Sequence, residues 1–298
     1  MTPNELISER LNRIESVPLR FINGVSSIQS EIFAELVTIL GQLNIGESFI
    51  LNDANLLRID ELMNQYYEAL KNGKYGSYVA WILQEMDRQK GLIDAFSELE
   101  YGAIAGRAAD AAYTSTKSIT TRLLIGDDFK TNFINVVRDN LIQSIDGDAS
   151  FEEMVKNMNA LFVDDERLPQ MVNWTSQVSS DRFAVADRTY GDAVAQDLGL
   201  QFFQYLGGLI KDSREFCVKR NGDFFHRLEA QDWVSLQWQG KFRQTNEQNV
   251  LHWLGGYRCQ HSPVFRSLIS VPKEVIQRNI ANGNYKPTQA ERALLGLS

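Results

Sequence analysis

Apolar residues recur every three or four positions through most of the first 197 residues, and the pattern stops at Gly199. That spacing matches the α-helical repeat and puts the apolar side chains on one face. This part of the chain can therefore bury a core only by packing helix on helix. Ile28, Ile32, Leu36, Ile39, Leu40 and Leu43 form one such face, ahead of breaks at Gly46 and Asn52-Asp53. Leu56, Ile59, Leu62, Met63, Tyr66 and Leu70 form a second, ending near Asn72-Gly73, and a third runs from about Tyr78 to Leu99. The alanine-rich stretch from Gly102 to Ala112 fits either close helix approach or a connection. Phe129, Phe133, Val136, Val137 and Leu141 make the next stripe, closed by Asp146-Gly147-Asp148. Ser150 stands three residues before Glu153, the spacing of a reciprocal helix cap. Phe151, Met154, Val155, Met158, Leu161 and Phe162 then form a buried face. Leu168-Pro169 is read as opening a long helix through Trp174, Val178, Val185 and Val194.

Beyond Gly199 the texture changes. Leu200 to Leu206 is bounded by glycines and reads as a strand. Asn221-Gly222, Gly240 and Gly255-Gly256 mark turns, and a last helix is expected from Pro272 to about Asn282. The expected fold is mainly α: a helical N-terminal region, then a small irregular α+β module with short strands, forming a separate unit packed against the helices.

The chain has 298 residues, 44% of them hydrophobic, enough for the core of one large or two ordinary domains. No run approaches the roughly 18 apolar residues of a membrane span, and the start, Met1-Thr2-Pro3-Asn4-Glu5, does not read as a secretory signal. The net charge of -8 argues against general nucleic-acid coating, but it is unevenly spread. Residues 201–298 carry 13 Lys and Arg against 8 Asp and Glu, whereas residues 1–200 carry 17 against 30. The basic C-terminal third is therefore the part to test for phosphate contact.

That third also holds every Cys and His of the chain, Cys217, His226, His252, Cys259 and His261, together with Trp233, Trp238 and Trp253. Cys217, His226, Cys259 and His261 are the candidate ligands of a zinc ion, since thiolate and imidazole suit that metal. Their spacing is not that of a standard finger or ribbon. A Cys217–Cys259 disulfide is a second reading, and hydrogen-bonded thiols and imidazoles stitching an irregular domain are a third. Catalysis by either Cys would need an oriented His, and no cysteine-hydrolase signature surrounds them. Phosphate-loop, dinucleotide and H-E-x-x-H patterns are absent too. Arg214, Lys219, Arg220 and Arg258 are candidate nucleic-acid contacts, interleaved with aromatics as are Arg227, Arg243 and Arg266. The competing reading is an ordinary surface whose Arg stems pack on rings.

At these residues the chain resembles a known family. Lys211 to Cys217 with its Ser213-Arg214-x-x-Cys217 element, Arg220-Asn221-Gly222 with Phe224, and Gly256 to His261 before Pro263-Val264 look like the C-terminal module of phage minor head proteins, the Mu F-like head morphogenesis family. Gln260 stands where that family often has Arg, and the extra Cys and His positions of some members are missing. The upstream helices, the Gly147–Ser150 turn and the segment from Asp181 to Tyr190 are similar to the family's lead-in, so the resemblance covers about residues 129–265. It implies a division into residues 1–125, a helical region of unassigned role, and residues 126–298, the module. Within the module it gives helices over 129–197, a Cys/His unit over 198–270 and a C-terminal helix. It further implies a multi-copy virion protein at the capsid interior or portal vertex, present in the host cytoplasm during assembly. Such a protein acts in head morphogenesis or DNA packaging, contacts portal and capsid proteins, and touches packaged double-stranded DNA or is delivered with it. No enzyme activity is implied, and no toxin enzyme is expected after the module. The residues alone also fit a metal-assisted hydrolase or a stand-alone nucleic-acid-binding adaptor.

Overall fold

A computed structural model describes residues 1–43, 53–103, 106–147, 149–159, 161–162 and 170–296. The chain is mainly α, with a small three-stranded antiparallel sheet in its C-terminal part. The helices are α1 (Pro3–Ser27), α2 (Gln29–Leu40), α3 (Asp53–Asn72), α4 (Lys74–Tyr101) and α5 (Arg107–Ile125). Next come α6 (Asp127–Phe129), a π turn (Lys130–Ile134), α7 (Asn135–Asp146), α8 (Phe151–Asn159) and α9 (Gln170–Asp197). The sheet region holds β1 (Phe202–Leu206), α10 (Glu215–Val218), β2 (Phe224–His226), α11 (Arg227–Gln231), α12 (Val250–Trp253) and β3 (Ser262–Arg266). Helices α13 (Lys273–Ala281) and α14 (Gln289–Leu295) follow. No described helix is long and apolar enough to cross a membrane.

The chain forms two compact units. One comprises Met1–Ser16, Met86–Lys117 and Ser180–Ser298; the other comprises Val17–Glu85 and Ser118–Ser179. Both are discontinuous in sequence, so they cut across the segmental division at residue 125. The Cys/His window lies in the first unit, together with the start of α1, part of α4 and α5, and the end of α9.

Among its described residues the second unit holds helices and no strand, and its core contains an aromatic cluster. Tyr75 stacks on Phe129 at 5.2 Å, Phe129 meets Phe133 at 5.3 Å, and Phe162 takes contacts from Phe133 and Phe33. Phe129, Phe133, Val137 and Leu141 are spaced by four, which drifts off the face of a 3.6-residue helix; the π turn widens the repeat where they begin and keeps all four buried. Ser150 and Glu153 cap α8 reciprocally, as their spacing predicts. The expected opening of α9 at Leu168-Pro169 lies outside the described residues, as do Gly46, Asn52 and Asp148.

In the first unit the sheet order is β2-β1-β3, with β1 central. Side chains alternate across a strand. Phe203 and Tyr205, with Phe225 and Phe265 opposite Phe203, face a cluster containing Phe216, Cys217, Trp233, Leu251 and Cys259. Phe202 points the other way, onto Val275 and Ile276 of α13 and Tyr285. Val264, also on that second face, packs with Leu6, Ile7 and Phe96. The expected strand is β1, and the helix expected from Pro272 is α13; it is not the last, because α14 follows it, opened by a Thr288–Glu291 cap.

Candidate functional site

The C-terminal part of α9, from Asp181 onward, organises the Cys/His window, although nearly every residue from Asp181 to Ala195 is buried, charged ones included. Arg188 is 1% exposed and satisfies three backbone carbonyls: Nη1 donates to His252 O (3.0 Å), Nε to His261 O (2.8 Å) and Nη2 to Cys259 O. Asp181 accepts from the Arg258 backbone N–H (2.5 Å) and so holds a residue whose φ is +55°, in the left-handed region. Burial pushes the Asp181 carboxyl up, against the opposing pull of that hydrogen bond and of nearby arginines. Asp187 forms a buried two-point pair with Arg10 (2.6 and 2.8 Å) and accepts from Ser262 Oγ and Gln89 Nε2. Burial alone would raise its pKa, but Arg10 and these hydrogen bonds outweigh it and hold the carboxyl below its ordinary value. Asp192 takes Arg227 at 3.0 Å and the His252 ring at 3.4 Å. The segment around 258–262 is thereby fixed from one helix.

What it fixes is a tight group of sulfur and nitrogen. Cys217 Sγ and Cys259 Sγ are 4.0 Å apart, and both thiols are free. His261 Nδ1 lies 3.9 Å from Cys259 Sγ, and the ligand atoms of Cys217, Cys259 and His261 are all within 4.8 Å of one another. The Tyr205 hydroxyl donates to Cys217 Sγ at 3.3 Å. Gly255 is required beside the pair, because a Cβ there would stand 2.5 Å from Cys217 Sγ and 2.9 Å from Cys259 Sγ. The hydrogen bond with Cys217 lowers the Cys259 thiol against the effect of burial, helped by the Arg188 charge and by His261.

Of the four residues expected to share a metal, three converge and His226 does not. Strand alternation is the reason: His226 pairs with Phe202, on the opposite sheet face from Tyr205 and the sulfurs. Its Nδ1 caps α11 by accepting from Leu228 N–H (3.2 Å), which leaves Nε2–H for Gln201 Oε1 (3.0 Å). Burial, then the Arg227 charge, push its pKa down to about 4. The disulfide of the second reading is not formed, since 4.0 Å is about twice an S–S bond.

The basic candidates divide. Arg220 lies over the Phe216 ring (3.9 Å) and donates to Phe216 O, and Arg214 donates to Tyr257 O (2.6 Å). Lys219 is exposed and paired with Glu215, and Arg258 is exposed. The window's tryptophans are packing residues: Trp233 lies in the sheet cluster, Trp238 stacks on Phe216 at 4.1 Å, and Trp253 on Phe242 at 3.8 Å. Residue spacing missed Arg188 and Asp187 as organisers. The available signal was the set Asp181, Arg188 and Asp192 at intervals of seven and four, one helix face, embedded in Ala, Val and Phe.

No family model matches the chain, and no curated protein or solved structure matches it.

Proposed function

We propose that this chain is a phage minor head protein, a structural component acting in head morphogenesis near the portal. The observation that carries this reading is the convergence of the separate sequence elements on which the family resemblance rests. The Asp181–Tyr190 segment supplies Asp181, Asp187 and Arg188; the Ser213–Cys217 element supplies Cys217; the Gly256–His261 element supplies two of the three carbonyls that Arg188 binds, and the second thiol. Elements far apart in sequence thus form one hydrogen-bonded node, as a resemblance due to a shared module requires. The helical remainder suits contacts with portal and capsid proteins. The exposed Lys219 and Arg258 are the residues for weak, salt-dependent contact with packaged double-stranded DNA.

The test is to purify particles from a strain carrying the gene and to quantify the chain in them by mass spectrometry. Several copies per particle, and empty or non-infectious heads when the gene is deleted, are expected. Absence of the chain from intact particles overturns the reading.

A further inference from the structure

Three donor atoms at the corners of a triangle about 4 Å on a side leave its centre about 2.3–2.5 Å from each corner, within a few tenths of an ångström of the ~2.3 Å zinc–thiolate and ~2.0–2.1 Å zinc–imidazole bonds. Cys217 Sγ, Cys259 Sγ and His261 form such a triangle: 4.0 Å between the sulfurs, 3.9 Å from Cys259 Sγ to Nδ1, and no edge beyond 4.8 Å. From this geometry we infer that the three side chains bind one zinc ion, with a fourth position open to a water molecule.

The His261 ring supplies the independent observation. It is 3% exposed, its Nε2 has no hydrogen-bond partner, and its Nδ1 has only the cysteine sulfur at 3.9 Å. A buried imidazole normally meets a carbonyl, carboxylate or water at ordinary hydrogen-bond distance. Here its two neighbouring donors are sulfurs, and the set of two thiolates and one imidazole is one that zinc favours over magnesium or calcium. The three residues also line a cavity of about 510 Å³ with Asp212, Ser213 and Gln260. That space leaves room for a fourth ligand, and among the described residues no further Cys or His joins the group. Both sulfurs bind as thiolates, so uptake releases protons and weakens as pH falls. The ion would tie the α10 turn to the residues just before β3, the second of which Arg188 already anchors through the Cys259 and His261 carbonyls. This inference stands on the triangle and the unpartnered His261 ring, and is independent of the head-protein reading.

The experiment uses the full chain, stripped with a chelator under reducing conditions and titrated with cobalt(II), then with zinc. One equivalent of cobalt is expected, with the visible bands of a tetrahedral site and a near-ultraviolet thiolate charge-transfer band, both erased by one equivalent of zinc. Cys259→Ser and His261→Asn should lose stoichiometric uptake, whereas His226→Gln should retain it. Because the first two variants could disturb folding, the titration of the unmodified chain decides. Binding below one equivalent, a cobalt spectrum without the thiolate band, or a Cys217–Cys259 disulfide that forms in place of metal uptake overturns the inference. Loss of uptake in His226→Gln with its fold intact does so as well.

Discussion

At the scale of single residues, the first unit depends on charges kept away from water, each answered by a partner. Asp187 carries the heaviest burden, because Arg10 is buried with it and has no solvent to turn to. Removing one member of such a pair leaves the other charge uncompensated, which costs about 3–5 kcal/mol. Asp187→Asn should therefore lower the free energy of unfolding by that amount, read from denaturant curves followed by circular dichroism. Since the native carboxyl ionises below its ordinary value, its stabilisation is complete above about pH 4 and fades as pH drops through the lower native value. The variant should show a shallower acid limb. His226 gives a different signature. Its native pKa near 4 lies below the unfolded value of about 6.5, so the unfolded chain binds the proton first. Stability should decline as pH falls from about 6.5 to about 4, and His226→Gln should flatten that slope; an unchanged slope would contradict the buried neutral ring.

At the scale of elements, close approach decides what substitution is tolerated. Gly24 on α1 lies under the Tyr78 ring of α4, where an added Cβ would stand 2.4 Å from a ring carbon. Gly24→Ala should therefore force the two helices apart and cost about 1–3 kcal/mol, measured by urea unfolding. Stability equal to that of the parent chain would mean that the ring moves freely. Much of this level was legible in the sequence. Three- and four-residue spacing located α3, α4, α8 and α9, the Ser150–Glu153 pair located a cap, and glycine boundaries located β1. The break between α1 and α2 at Ile28 was not legible, because the apolar stripe runs on without a Gly or Pro there. The π turn escaped for a related reason: the four-residue spacing that it accommodates still reads as helix. In the candidate site, Cys217, Cys259 and His261 were identifiable by residue type. The exclusion of His226 depended on strand register, which a three-residue strand does not announce.

At the scale of the whole molecule, the two units are assembled from segments far apart in sequence, and no local pattern encodes such a partition. A testable consequence lies in the exposed stretch from Gly208 to Asp212, between β1 and both of its partner strands. Protease nicking there should leave two fragments that co-elute on a sizing column and part only in denaturant, since β1 pairs with β2 and β3 across the cut. Separation under native conditions would contradict the sheet order. The same arrangement sets a timetable for the ribosome. Arg10 finds its carboxylate 177 residues later, and its serine partner 252 residues later. At about 5–20 residues per second, the guanidinium waits roughly 10–50 seconds after synthesis before its site is complete. The second unit, finished at Ser179, has all its segments translated while the first still lacks its sheet. Nascent chains should therefore gain protease resistance in two steps, the second only after β3 has left the exit tunnel.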